Sequence, residues 1–153
     1  MNDSYPSQSS LRGTKILLID DTPQHCILIQ KVMKVCMPNV ELLIATTGEQ
    51  AKDKLNELIS QHERLPRLIL LDLYLPRKDD GWTLLQHLKA TTSPLRLIPV
   101  TLLSHSGSSD DIQTSYHLGA NSYIVKPLDY PQWMTYFESL SQYWLYTVAP
   151  PFR

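Results

Sequence analysis

The sequence has only two cysteines in 153 residues. Cys26 and Cys36 lie ten apart in one helical-looking stretch, which separates them along the axis and puts them on different faces, beyond disulfide reach. They read as free thiols of a reducing compartment. Long apolar runs are missing as well. None is long enough to span a bilayer, and the first 13 residues lack the apolar stretch of a secretory leader. The expected location is the cytosol, with no membrane contact. Neither sign of charge dominates: 14 Lys and Arg face 15 Asp and Glu, for a net charge of −1. That balance provides no basic field for nucleic acid or anionic lipid and argues against a DNA-binding output module, so output is expected through protein contacts. Glycine is scarce, and no glycine-rich phosphate loop or nucleotide fingerprint occurs. The histidines show no ligand spacing. A single domain of this length buries roughly 70% of its unfolded surface, so folding requires neither disulfide nor metal.

What the chain does have is a set of short apolar runs that end on polar residues. Lys15–Ile19 runs into Asp20-Asp21, Leu68–Leu71 into Asp72, Ile98–Leu103 into Ser104, and Ser122–Val125 into Lys126-Pro127. Continuous short apolar runs are the mark of parallel strands buried on both faces, and open parallel sheets carry their sites outside the carboxyl ends of the strands.

Between these runs the periodicity switches to helical. The polar stretch 1–13 reads as a loose arm, too poor in apolar residues to offset the entropy of ordering. Strand Lys15–Ile19 is followed by a helix from about Pro23 to Met37, with Thr22 placed to cap it and Pro23 suited to the first helical position. Val40–Ala45 reads as the second strand, and Thr47-Gly48-Glu49-Gln50 opens a helix to about Gln61 with capping-box spacing. Then follow strand Leu68–Asp72, a helix from about Gly81 to Ala90, strand Ile98–Leu103, and a helix from about Asp110 to Leu118 closed by Gly119. Strand Ser122–Val125 and a helix from about Tyr130 to Tyr146 complete a domain spanning 14–146, with a tail at 147–153. This alternation predicts an α/β fold, a doubly wound five-stranded parallel sheet in the flavodoxin-like order 2-1-3-4-5.

In that order the first and third strands are neighbours, so Asp20, Asp21 and Asp72 converge. Two carboxylates about 4 Å apart repel by roughly 4 kcal/mol at an effective dielectric of 20, so the cluster must take up a proton or hold a cation. Mg²⁺, a hard ion that favours one or two carboxylates plus phosphate oxygens, suits it. A carboxylate beside such an ion can attack a phosphoryl group, which makes Asp72 a candidate nucleophile, with Lys126 as a point charge and Ser104 as a hydroxyl donor.

These residues identify a resemblance. Asp20-Asp21, the segment Leu70 to Pro76 around Asp72, Asp80-Gly81, Ser104 and Gly119 to Pro127 resemble, in order, the motifs of the receiver domain of two-component response regulators, over about residues 14–140. The resemblance implies that Asp72 is the phosphoacceptor. It makes Asp21 a direct Mg²⁺ ligand, Asp20 a ligand largely through water, and the Tyr74 backbone carbonyl a further ligand. Ser104 becomes the hydroxyl that reorients on phosphorylation, and Tyr123 the aromatic whose rotamer couples to it. Lys126 contacts the phosphoryl group, and a cis bond is implied before Pro127. The closing segment from Tyr143 to Pro150 is similar to the tail of stand-alone regulators paired with cyanobacterial phytochrome kinases. That similarity implies a phytochrome-type sensor histidine kinase as phosphodonor, and a homodimer through the fourth helix, fifth strand, fifth helix and tail.

Two departures from the pattern stand out. The segment between Asp72 and Gly81 is one residue longer than expected, which either moves the third helix or adds a carboxylate near the site. His105 takes a position where a small residue is usual: it can hinder an attacking water, bind phosphate, or point into solvent. In the last helix Trp133, Phe137, Leu140 and Trp144 form a core stripe, leaving Tyr136, Tyr143, Tyr146, Leu145 and Phe152 for an interface. Two rivals remain to the phosphoacceptor reading. One is a receiver-fold interaction module that is never phosphorylated. The other is an Asp-nucleophile phosphatase, which needs an acid two residues past the nucleophile, where this chain has Tyr74.

Overall fold

A computed structural model of the chain describes residues 13–147 and Pro151; most of the arm and tail, Phe152 included, lies outside the described residues. The elements run β1 (Lys15–Ile19), α1 (Pro23–Cys36), β2 (Glu41–Ala45), α2 (Gly48–Ser60), β3 (Leu68–Asp72), α3 (Lys78–Lys89), β4 (Val100–Ser104), α4 (Ser109–His117), β5 (Ser122–Val125) and α5 (Tyr130–Leu140). The last is continued by a π-helical stretch, Ser141–Thr147. All strand pairs are parallel, in the order β2-β1-β3-β4-β5 that the alternation predicts.

The runs are continuously apolar because both faces of the sheet are covered. Ile16, Leu18, Leu68, Leu70 and Leu103 pack on one side with α1 and α5, through Ile29, Val32, Trp133 and Phe137. Leu17, Ile19, Ile69, Leu71 and Leu102 pack on the other with α2 and α3, through Leu55, Leu84, Leu85 and Leu88. All the strand residues named are 0% exposed, and at roughly 1.5–3 kcal/mol for each fully buried aliphatic side chain this double layer dominates the folding free energy.

Helix ends follow their local chemistry. Thr47 Oγ accepts the Gln50 backbone N–H at 3.1 Å, and Asp129 does the same for Gln132 at 2.9 Å. Thr22 caps α1 by position only; its own N–H is bound by Asp20 Oδ1 at 2.8 Å. Gly119, at φ +106°, closes α4 in a Schellman arrangement, with the Ala120 N–H reaching back to the Ser115 carbonyl at 3.1 Å.

Several boundaries differ from expectation. β4 begins two residues later and ends one later, at Ser104, because Pro99 cannot donate to a ladder and the Ile98 N–H is spent on a turn to the Leu95 carbonyl. Ile98 is apolar because it is buried, and strand pairing begins after it. α3 starts three residues early, at Lys78, where the Arg77 N–H donates to Asp80 Oδ2 at 3.2 Å. The helix itself stays close to β3, since a Cβ on Gly81 would collide with the Leu73 carbonyl. α5 stops at Leu140, and the π winding that follows advances the inner face by five residues, so Leu145 is buried and Trp144 only half-buried. Tyr136 is half-buried: its ring lies 5.2 Å from Phe137 and 6.2 Å from Trp133, and its buried hydroxyl has no hydrogen-bond partner among the described residues. Cys26 and Cys36 are both free.

Candidate functional site

Four neighbouring strands deliver the polar groups to one end of the sheet. Asp20 follows β1, Asp72 ends β3, Ser104 ends β4 and Lys126 follows β5. All four are at most 5% exposed, which is exceptional for two carboxylates and an ammonium unless they are paired. They are paired. Lys126 Nζ lies 3.2 Å from Asp20 Oδ2 and 3.3 Å from Asp72 Oδ2. Burial pushes the Asp72 carboxyl up to about 6; Lys126 and the Tyr74 N–H oppose this, and the Asp20 charge reinforces it.

Above these groups is an open pocket of about 600 Å³. Asp21, Thr22 and His25 line one wall, Tyr74 and Pro76 another, and His105 and Ser106 a third, with Asp72 and Lys126 also contributing. The structure thus brings together Asp20, Asp72 and Lys126 in direct contact and keeps Asp21 on the pocket wall. Asp79 and Asp80, the carboxylates of the longer loop, do not line it; Asp80 is engaged at the start of α3.

Three residues missed by the sequence reading take part. His25 Nδ1 sits 2.8 Å from Lys126 Nζ and 3.4 Å from Asp20 Oδ2. The signal for it was available: a helix following β1 brings its first turn over the strand ends, and His25 is in that turn. Ser106 lies between the two expected switch residues. Its N–H donates to Ser104 Oγ at 3.1 Å, and its carbonyl accepts the Tyr123 hydroxyl at 2.7 Å. Ser104 and Tyr123 therefore meet through the Ser106 backbone. Asp111 is the third. Buried on the inner face of α4, it accepts Ser106 Oγ at 2.7 Å and Lys78 Nζ at 3.1 Å, and these bonds hold its carboxyl below the usual range. The Lys78 ammonium also lies 5.3 Å from the Trp82 ring, whose N–H donates to Ser115 Oγ at 3.1 Å.

His105 is an exposed residue at the rim of the pocket. It lines the pocket with its ring 5.6 Å from that of His25, and burial together with the Lys126 charge holds its pKa below the usual value. The cis bond implied before Pro127 is not there. Among the described residues the cis peptide is Leu75–Pro76. Both are X-Pro bonds, whose isomers differ by only about 0.5–1 kcal/mol, so neither position is fixed by its own dipeptide.

The residues fit a divalent cation. One ligand atom each of Asp20, His25 and Asp72 lie within 4.8 Å of one another, and all three already face a positive charge, the Lys126 ammonium. The two carboxylates suit Mg²⁺ or Mn²⁺, and the imidazole adds one nitrogen donor.

Residues 16–138 match the family described as the response regulator receiver domain. The chain belongs to that family. Among its relatives, the receiver is 36% identical over 138 residues to the response regulator Rcp1 of Synechocystis sp., covering 89% of this chain and 92% of that one. It is 35% identical over 130 residues to the probable methanogenesis regulatory protein FilR2 of Methanothrix harundinacea, covering 85% and 83%. The phosphorylated cyanobacterial phytochrome response regulator RcpA superposes with a TM-score of 0.78 at 35% identity, covering 90% of the receiver and 98% of RcpA. A structure of Rcp1 is Mn²⁺-bound (TM-score 0.74, 33% identity, covering 90% and 99%). No helix among the described residues is long and apolar enough to cross a membrane.

Proposed function

We propose that this receiver is a phosphoacceptor switch that takes a phosphoryl group from the phosphohistidine of a sensor histidine kinase onto Asp72 and signals through protein contacts, with no catalysis on other substrates. The observation that carries this reading is the Asp72 carboxylate at the pocket floor, 3.3 Å from the Lys126 ammonium. An Asp72 carboxylate oxygen attacks phosphorus as the phosphorus–nitrogen bond to the donor imidazole breaks, the electron pair returning to the imidazole, and an acyl phosphate remains. Asp20, Asp21 and the Tyr74 backbone carbonyl would hold Mg²⁺ with Asp72; when bound, that ion neutralises charge on the phosphoryl oxygens. Lys126 offers its charge from the β5 side. Ser104 Oγ accepts from Ser106 and still has its own proton to donate to a phosphoryl oxygen. Tyr74 stands where a hydrolytic enzyme needs its acid, so the phosphoaspartate is lost slowly.

The phosphodonor is a phytochrome-type kinase on this reading, supported by the likeness to RcpA and Rcp1 along nearly their whole lengths. Tyr116, Val125 and Tyr143 leave large apolar surface exposed on α4, β5 and the π-helical stretch, which supports a homodimer on that face. Incubation with acetyl phosphate, with and without Mg²⁺, followed by intact-mass spectrometry tests the switch. A Mg²⁺-dependent gain of one phosphoryl mass, lost in Asp72→Asn, is the expected result. No gain from acetyl phosphate or from a phytochrome kinase would leave the fold serving as an unphosphorylated interaction module.

A further inference from the structure

We propose that His25 is a metal ligand of this receiver, so that its pocket is a mixed nitrogen and oxygen site that selects first-row transition ions over Mg²⁺. This rests on the reading that the acidic pocket holds the divalent ion. Three features carry it.

First, the three side chains whose ligand atoms converge within 4.8 Å are Asp20, His25 and Asp72; Asp21, the expected direct ligand, is not one of them. Second, the imidazole is aimed into the cluster. Lys126 Nζ lies 2.8 Å from Nδ1, and an ammonium has only protons to offer, so Nδ1 presents its lone pair to the same positive charge that Asp20 and Asp72 face at 3.2 and 3.3 Å. A nitrogen already presented to one cation is arranged as a ligand for another. Third, His25 is held in place. It sits in the first turn of α1, bonded through its own N–H to the Thr22 carbonyl at 3.1 Å, while the His105 ring packs edge-on against it at 5.6 Å. That contact limits the ring's freedom to swing into solvent, as a ligand's supporting neighbours commonly do.

The chemical consequence follows from donor type. Mg²⁺ demands hard oxygen donors in near-ideal octahedral geometry and gains little from imidazole. Zn²⁺, Ni²⁺ and Co²⁺ accept imidazole readily, and two carboxylates with one imidazole make a familiar donor set for such ions. His25 therefore strengthens the pocket's preference for a transition ion beyond what the two carboxylates alone would give, while Mg²⁺ still supports phosphoryl transfer.

The test is isothermal titration of wild type, His25→Asn and Asp72→Asn with Zn²⁺ and with Mg²⁺. The ratio of Zn²⁺ to Mg²⁺ affinity is expected to fall by at least about tenfold in His25→Asn, with Mg²⁺ affinity itself changing less than about twofold. Because a variant at a buried cluster can lose its fold, the wild type is also followed by ¹⁵N-resolved imidazole NMR, where the His25 nitrogens should shift on addition of one equivalent of Zn²⁺. An unchanged affinity ratio, an unmoved His25 signal, or Zn²⁺ binding that survives Asp72→Asn at full strength overturns the proposal. Mg²⁺-dependent phosphorylation of wild type would still stand in those cases. Failure of both ions to bind would overturn this inference together with the reading of the pocket.

Discussion

Replacing Asp72 with Asn removes a charge that the folded chain carries at a disadvantage. Burial, opposed by Lys126 and reinforced by Asp20, lifts the carboxyl from an ordinary 3.8 to about 6. A group whose pKa is raised by folding holds its proton more tightly in the folded chain, so the stability it contributes is fully present below pH 3.8 and is lost as the pH rises through about 6. At about 1.4 kcal/mol per pH unit, the loss across that window reaches about 3 kcal/mol at most. Asn keeps the shape and an acceptor for the Tyr74 N–H but never ionises. With divalent ions chelated, Asp72→Asn should therefore exceed wild type by about 1–3 kcal/mol at pH 7.5, a rise in Tm of roughly 3–10 °C for a chain of this size. The gap should close by about pH 4, where both carry a neutral side chain, and narrow again when excess Mg²⁺ stabilises the wild-type carboxylate. Calorimetric melts between pH 4 and pH 8, with EDTA and then with Mg²⁺, measure this directly. A variant no more stable than wild type at pH 7.5, or an advantage indifferent to pH, would show that the site is not desolvated in the way described.

Tyr136→Phe removes a buried hydroxyl that has no partner among the described residues, and should be neutral or stabilising by up to about 1 kcal/mol in urea unfolding, with the m-value unchanged. Asp111→Ala should do the opposite: it leaves the Ser106 hydroxyl and the Lys78 ammonium without their acceptor and should cost about 2 kcal/mol in the same assay. Because Ser106 also connects Ser104 to Tyr123, the Asp111→Ala receiver should show altered Tyr123 ring resonances by NMR while retaining phosphorylation at Asp72.

How far the sequence could be read depended on what each segment is packed against. β1 and β3 appear at their expected boundaries, since a strand enclosed on both faces leaves an uninterrupted apolar run that stops where the site begins; β5 keeps its expected bounds as well, though it is an edge strand with Val125 exposed. Asp72, Ser104 and Lys126 were visible for the same reason, each being the polar residue at such a stop. β4 was misplaced because burial of Ile98 imitates strand pairing. His25 was invisible to a search for ligand spacing: its partners come from other strands, and only the placement of the first turn of α1 over them makes it a neighbour. Ser106 and Asp111 lie in a serine-rich loop and on a helix whose buried side chains, Asp111 and Ser115, are both polar, a pattern that hydrophobic periodicity cannot register. The π winding after Leu140 shifted the inner face by one residue, which exchanged the expected roles of Trp144 and Leu145.

The close seating of Gly81 on the Leu73 carbonyl fixes both ends of the segment that carries Tyr74 and Pro76. A residue added between those ends has no register to shift. It can only enlarge the arc that joins two immovable points, and that arc forms one lip of the acidic pocket. The fold thus separates a frame that tolerates no change in length from a rim that does. A residue inserted in this arc reshapes the entrance to Asp72 and leaves the cluster beneath it undisturbed.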